Sequence, residues 1–129
     1  MAGADAGDVW REGEGVIHFT LTGPLHGYTI QSRGSFWNKR SRAYHAWKDL
    51  VRLTARAAGV PDEIPEEERW GIKTVIYWKG KARVDPENIQ KGILDSMWKQ
   101  DRRVSHGEFM SYEKKGPERC EVAVWRVGK

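Results

Sequence analysis

The apolar and polar residues from Val16 to Thr22 form a run rich in β-favouring side chains that stops at Gly23-Pro24, and it predicts a strand. Leu25 to Arg40 keeps no period and predicts a long basic loop, with Tyr28, Phe36 and Trp37 interleaved among Arg33, Lys39 and Arg40. The spacing then changes to three and four residues. Tyr44, Trp47, Val51, Ala55 and Ala58 fall on one stripe, so a helix is expected from an N-cap at Ser41 to about Ala58, with Gly59 as its stop and Pro61 beyond. Leu50 and Leu53 lie off this stripe and suit either a wider buried face or a seam with a second copy of the chain.

Pro61 to Arg69 is acidic and proline-punctuated, hence a surface connection. Gly71 to Trp78 predicts a second strand, and Lys79 to Val84 a turn. Pro86 to about Trp98 predicts a second helix, with Asp85 at the N-cap and Pro86 at the first helical position. Ile89, Ile93 and Met97 form its apolar stripe, while Asn88, Lys91 and Asp95 fall opposite and Glu87 near the margin. Arg103 to Tyr112 and Arg119 to Val127 read as a closing hairpin around Lys115-Gly116-Pro117, with Cys120, Val122, Val124 and Arg126 on one face of the last strand. The order β-α-β-α-β-β defines a small single α+β domain over 15–129, with a mixed or antiparallel sheet of about four strands and two helices. Met1 to Glu14 is expected to be a poorly ordered tail, with Trp10 as its candidate for docking.

Composition narrows the class. At 129 residues the chain is one domain, and 39 % apolar residues with seven Trp can bury a core. A domain of this size gains from burial against a second subunit. Lys and Arg outnumber Asp and Glu by 22 to 18, a net +4 that leans toward a polyanionic partner. The single cysteine, Cys120, excludes an internal disulfide and a cysteine-based zinc site, and a reducing cytoplasm is the expected compartment. No window of about 18 apolar residues exists, so no membrane partner is expected, and the opening residues lack the pattern of a secretory leader. The four histidines show no ligand spacing, and His18 reads as a core histidine within a strand. The absence of GxxxxGK[ST], GxSxG and a Cys/His pair excludes the familiar phosphate-loop, α/β-hydrolase and cysteine-nucleophile chemistries, and no nucleotide cofactor is expected.

The chemistry-bearing residues gather around the second helix. Asp85, Glu87, Asp95 and Asp101 stand within seventeen positions, together with Asn88 and Lys91. Hard divalent cations take oxygen ligands, usually one or two carboxylates plus substrate phosphates. Asp85 and Glu87, two apart at a helix start, suit one such ion, with Asp101 returning from the next segment and Lys91 one turn in to offset phosphate charge. On spacing alone the same residues also make an ordinary Asp-Pro cap and a solvated Glu87–Lys91–Asp95 ladder. Arg33, Lys39, Arg40 and Arg42, with Phe36 and Trp37 among them, suit phosphate contacts and an aromatic wedge at a branched nucleic acid. Lys79, Lys81 and Arg83 lead straight into the acidic positions, and Lys48, Arg52 and Arg56 stand four apart on the first helix.

Asp85-Pro-Glu-Asn88, Lys91, Asp95 and then Asp101-Arg-Arg-Val104 resemble the signature of the RusA family of Holliday-junction resolvases. That pattern is roughly Asp-x-Asp-Asn-x-x-Lys-x-x-x-Asp, a short gap, and Asp-Asp-x-x-Val. The likeness extends from about Val16 to Val127: an opening strand ending Gly23-Pro24, a basic segment with Arg33, a helix with Tyr44 and Trp47, and strands on either side of the motif. The resemblance implies a homodimeric, Mg²⁺-dependent endonuclease, with Mn²⁺ as an alternative ion, that cuts four-way DNA junctions symmetrically. By position, Asp85, Glu87 and Asp101 would hold the metal and Lys91 would act on the phosphate or the attacking water. Asn88 and Asp95 would have supporting roles, and phage or prophage origin is common in such proteins. Two positions depart from the pattern: Glu87 replaces an aspartate, which carries the carboxylate one methylene further out, and Gln100 replaces the first of the paired aspartates. Two other readings stay open, a non-catalytic DNA-binding homodimer of the same fold and a nuclease for a flap, fork or RNA.

Overall fold

The computed structural model describes residues 15–27, 39–114 and 116–127. The tail expected over Met1 to Glu14 and the part of the basic loop that holds Arg33, Phe36 and Trp37 lie outside these residues. The elements in chain order are β1 (Ile17–Thr22), α1 (Lys39–Ala57), β2 (Arg69–Lys79), α2 (Pro86–Met97), a 3-10 turn (Asp101–Arg103), β3 (Val104–Lys114) and β4 (Arg119–Val127). This is the expected α+β class, a mixed four-stranded sheet with two helices.

The closing hairpin does not form. The strand order is β1-β4-β2-β3: β4 lies between β1 and β2, antiparallel to both, and β3 pairs in parallel with β2 after the α2 crossover. β2 therefore separates β3 from β4, which lie two strand spacings or about 10 Å apart. Burial explains the choice. Cys120, Val122, Ala123, Val124 and Trp125 are buried, so β4 is apolar on both faces and suits the sheet interior. Ser105, His106, Glu108, Ser111 and Glu113 are exposed on β3 and suit an edge. The one-sided alternation expected of the last strand is accordingly lost at Ala123 and Trp125.

α1 begins at Lys39, two residues before the N-cap expected at Ser41. It ends where Gly59 takes φ +104 and the Val60 N–H donates to the Ala55 carbonyl at 3.0 Å, a positive-φ exit that glycine makes without strain. Tyr44, Trp47, Val51 and Ala55 of α1 and Ile89, Ile93 and Met97 of α2 share one core cluster with Phe19, Leu21, Ile72, Ile76, Cys120, Val122 and Val124. These sheet residues follow the period of two on one face, so both helices cover that face. His18 is exposed on the opposite face, contrary to the core position expected for it.

Gly71 sits on the helix-free face, paired with Trp125 of β4. A Cβ built there would lie 2.6 Å from two atoms of the Trp125 indole. Strand propensity alone would favour Gly71→Ala by up to about 1 kcal/mol, but forcing a ring out of a packed site costs about 1–3 kcal/mol. The steric cost wins. Gly71→Ala is expected to destabilise the chain by about 1–2 kcal/mol, read as an earlier urea midpoint with an unchanged slope; a later midpoint would contradict this packing.

Candidate active site

The start of α2 is built from both sides. Asp85 occupies the N-cap at φ −60, ψ 135, and its carbonyl accepts the N–H of Asn88 at 3.0 Å and of Ile89 at 3.2 Å. Pro86 opens the helix, where its missing N–H costs nothing. The Asp85 carboxylate makes no cap hydrogen bond. Its backbone therefore starts the helix while its side chain stays uncommitted. Asp85, Glu87, Asn88 and Lys91 are all exposed, because Ile89 and Ile93 take the buried side. Among the described residues neither Asp85 nor Glu87 enters an ion pair, whereas Asp95 is held by Lys48 at 2.7 Å, tying α2 to α1.

Neighbouring segments fix this corner. Glu118 Oε2 accepts the Leu25 N–H at 2.6 Å and meets Arg83 Nη2 at 2.5 Å, and the Arg83 guanidinium lies 5.3 Å from the Trp78 ring centroid. Gly27 packs so closely that a Cβ there would fall 2.4 Å from Val84 Cγ1 and 3.5 Å from Asn88 Cβ. The chain thus passes beside the first turn of α2 just before residue 28. His26, in ring contact with Trp47 at 5.9 Å, is held below its ordinary pKa by burial first and by Arg83 second, against the pull of Glu118. It is neutral at physiological pH and adds no charge to the corner.

Asp101 stands elsewhere. The twelve residues of α2 rise about 18 Å at 1.5 Å per residue, and Asp101 begins the turn beyond the far end. That turn is tied to the connection after α1: Gln100 Oε1 accepts the Ile64 N–H at 3.3 Å, and Arg103 Nη1 donates to the Ile64 carbonyl at 2.6 Å. Gln100 thus serves as a tether. Asp85 and Glu87 share one end of α2 and Asp101 lies past the other. Among the described residues no group of three or more His, Cys, Asp or Glu stands where it could hold a metal ion, so the three carboxylates do not gather within one chain.

The basic positions divide similarly. Lys79 and Lys81 are exposed on the approach to Asp85 and enter no ion pair among the described residues. Arg83, in contrast, is engaged by Glu118. Arg42 is exposed on the first turns of α1, and the side chains of Lys39 and Arg40 lie outside the described set. Among the described residues no helix is long and apolar enough to cross a membrane. Burial pushes the Cys120 thiol up to about 12, so it is no nucleophile at neutral pH.

Gln90 is a positioning residue that pattern reading passed over. Its buried amide donates to Thr74 Oγ1 at 3.1 Å and to the Glu108 carbonyl at 2.5 Å, locking α2 onto β2 and β3. The signal was present in the spacing, since position 90 lies three residues before Ile93 on the apolar side of the helix. Glu118 carried no such signal, because its partners come from distant segments.

No family model matches the chain, and no curated protein matches it.

Proposed function

We propose that this chain is a Mg²⁺-dependent endodeoxyribonuclease, with Mn²⁺ as an alternative ion, that resolves four-way DNA junctions as a homodimer by paired symmetric cleavage. The observation that carries the reading is the pair of exposed, uncommitted carboxylates of Asp85 and Glu87 at the start of α2. Their all-oxygen donor set, with the Asn88 amide beside it, suits a hard divalent cation. Such an ion, when bound, supplies Lewis-acid stabilisation of the phosphate and a more acidic water. The chain's own contributions follow from position. Asp85 and Glu87 hold the ion, and the N-terminal end of α2 favours the phosphate's negative charge. Lys91, one turn further in, offsets charge that grows on the phosphate. Lys79 and Lys81 grip the backbone on the approach.

The distance of Asp101 from this pair favours one alternative, a non-catalytic junction-binding homodimer. A labelled four-way junction and its matched duplex, each incubated with Mg²⁺, Mn²⁺ or EDTA, decide between them. The proposal expects nicks on the junction that vanish in EDTA and return with added metal. Tight binding without cleavage in either metal establishes the alternative, and preferential cutting of a fork or of RNA moves the substrate.

Lysine contacts to phosphate release counterions, each contributing about 0.9 to the slope of log K against log salt. Lys79→Ala with Lys81→Ala should therefore flatten that slope by about 1.8 and weaken junction and duplex binding alike. An unchanged slope would remove both residues from the DNA surface.

A further inference from the structure

The helix-free face of the sheet carries a row of planar groups at the end where β2 leaves toward Asp85. Tyr77 of β2 stands six residues beyond Gly71 and therefore on the same face. Register places Arg119 of β4 on one side of it and Tyr112 of β3 on the other. The Arg119 guanidinium lies 4.0 Å from the Tyr77 ring centroid, and the Tyr77 and Tyr112 rings stack at 5.6 Å with 18° between their planes. Guanidinium, ring and ring thus follow one another across the sheet toward its edge. β3 is that edge, so no strand stands beyond Tyr112, which exposes 37 % of its surface. We propose that this row is a stacking site for single-stranded DNA, on which an unpaired base adds to the series at Tyr112. The site rests on the nucleic-acid reading above for its partner, and not on the metal or on cleavage.

Three features select such a strand. First, every base offers a flat π surface for stacking on a ring, but in a duplex both faces of each base are covered by its neighbours. Only an unpaired base can extend the row. Second, the row is ordered in advance. Arg119 is held by Glu121 at 3.6 Å as well as by the Tyr77 ring, and Tyr77 in turn orients Tyr112, so a base meets a surface that loses little freedom on binding. Third, the charges agree. Lys79 follows Tyr77 by two residues, about 7 Å along the same face, and Lys81 lies beyond it. Both are exposed and enter no ion pair among the described residues. The carboxylates at this end are engaged, Glu121 by Arg119 and Glu113 by the Ala82 N–H at 2.5 Å. A neutral sugar uses the rings and leaves the lysines idle, whereas a chain of bases and phosphates uses both. The same lysines lead on to Asp85, so a strand laid on this row runs toward the candidate active site.

The test is fluorescence anisotropy of the full chain in EDTA, with three labelled probes: a short oligo-dT, an abasic strand of the same length, and a duplex. The wild type is expected to bind oligo-dT more tightly than the abasic strand. Tyr112→Ala should weaken oligo-dT binding about 5- to 150-fold, the range for loss of one stacked base, and leave the duplex and the abasic strand as they were. Tyr112→Trp should keep the wild-type affinity, because it keeps a ring. Tyr112 is exposed, so both variants should remain folded at the assay temperature by circular dichroism. Equal wild-type affinity for oligo-dT and the abasic strand overturns the proposal, as does a Tyr112→Ala loss shared by the duplex. Photo-cross-linking locates the contact: an oligo-dT carrying 5-iodouracil should label Tyr112 or Tyr77, and labelling confined to other residues overturns the site. A chain that cuts junctions but does not distinguish oligo-dT from the abasic strand loses this site and keeps the nuclease. One that cuts nothing in either metal and still needs Tyr112 to hold oligo-dT does the reverse.

Discussion

Asp85→Asn should lower junction cleavage at least about 100-fold while leaving junction affinity and thermal stability where they are. The loss follows from charge. An amide of the same shape keeps the geometry but gives up the anionic ligand, and metal-borne stabilisation of a transition state amounts to several kcal/mol, with each 1.36 kcal/mol a factor of ten in rate. Retained stability follows from the corner itself. The Asp85 carboxylate is exposed and makes no cap hydrogen bond, and asparagine is an equally good N-cap residue. DNA binding should hold or tighten slightly, because one negative charge leaves the approach. Quantitative gel assays at saturating enzyme check the first expectation and a thermal melt checks the second. Cleavage within threefold of wild type would remove Asp85 from the chemistry, and a large fall in Tm would mean that the carboxylate serves the fold instead.

Ile93→Ala should have the largest effect on stability. Ile93 has no exposed surface and sits in the middle of the stripe by which α2 meets the sheet. Removing three carbons there loses their transfer free energy and leaves a cavity, together about 2–5 kcal/mol for such a change. For a chain of this length that corresponds to a Tm lower by roughly 10 °C. Asp85 and Glu87 ride on the same helix, so cleavage should fall only as the folded fraction falls, and should recover on cooling. A shift of less than 2 °C would mean that α2 is not anchored through this face.

The elements themselves were legible because each carries its own periodicity. The α1 stripe from Tyr44 to Ala55 and the α2 stripe from Ile89 to Met97 are buried as spacing predicts, and Pro86 marks the helix start within a residue. Pairing was not legible. Proximity in sequence suggested that β3 and β4 close a hairpin, but the competition for the sheet interior is decided by two-sided burial. The sequence of β4 shows this only when Ala123 and Trp125 are weighed with Cys120, Val122 and Val124. The helix start at Lys39, two residues before the cap expected at Ser41, was not legible because the apolar stripe begins only at Tyr44. The corner at Asp85 was visible as local chemistry, two carboxylates beside a proline. The remoteness of Asp101 was not, since a motif in one dimension does not record that a helix of about 18 Å separates its parts. Long-range supports such as Glu118 on Leu25 and Gln100 on Ile64 are equally invisible before the fold is known.

The central claim is paired cutting of a branched DNA from the α2 carboxylates. A supercoiled plasmid that extrudes a cruciform tests it in one reaction, because its four-way junction can be cut once or twice before the enzyme leaves. With Mg²⁺ the account predicts a linear product that appears without prior build-up of nicked circle, is absent in EDTA, and is absent for a plasmid lacking the cruciform. A cruciform plasmid left intact in both Mg²⁺ and Mn²⁺, or cut no faster than its cruciform-free counterpart, would contradict it.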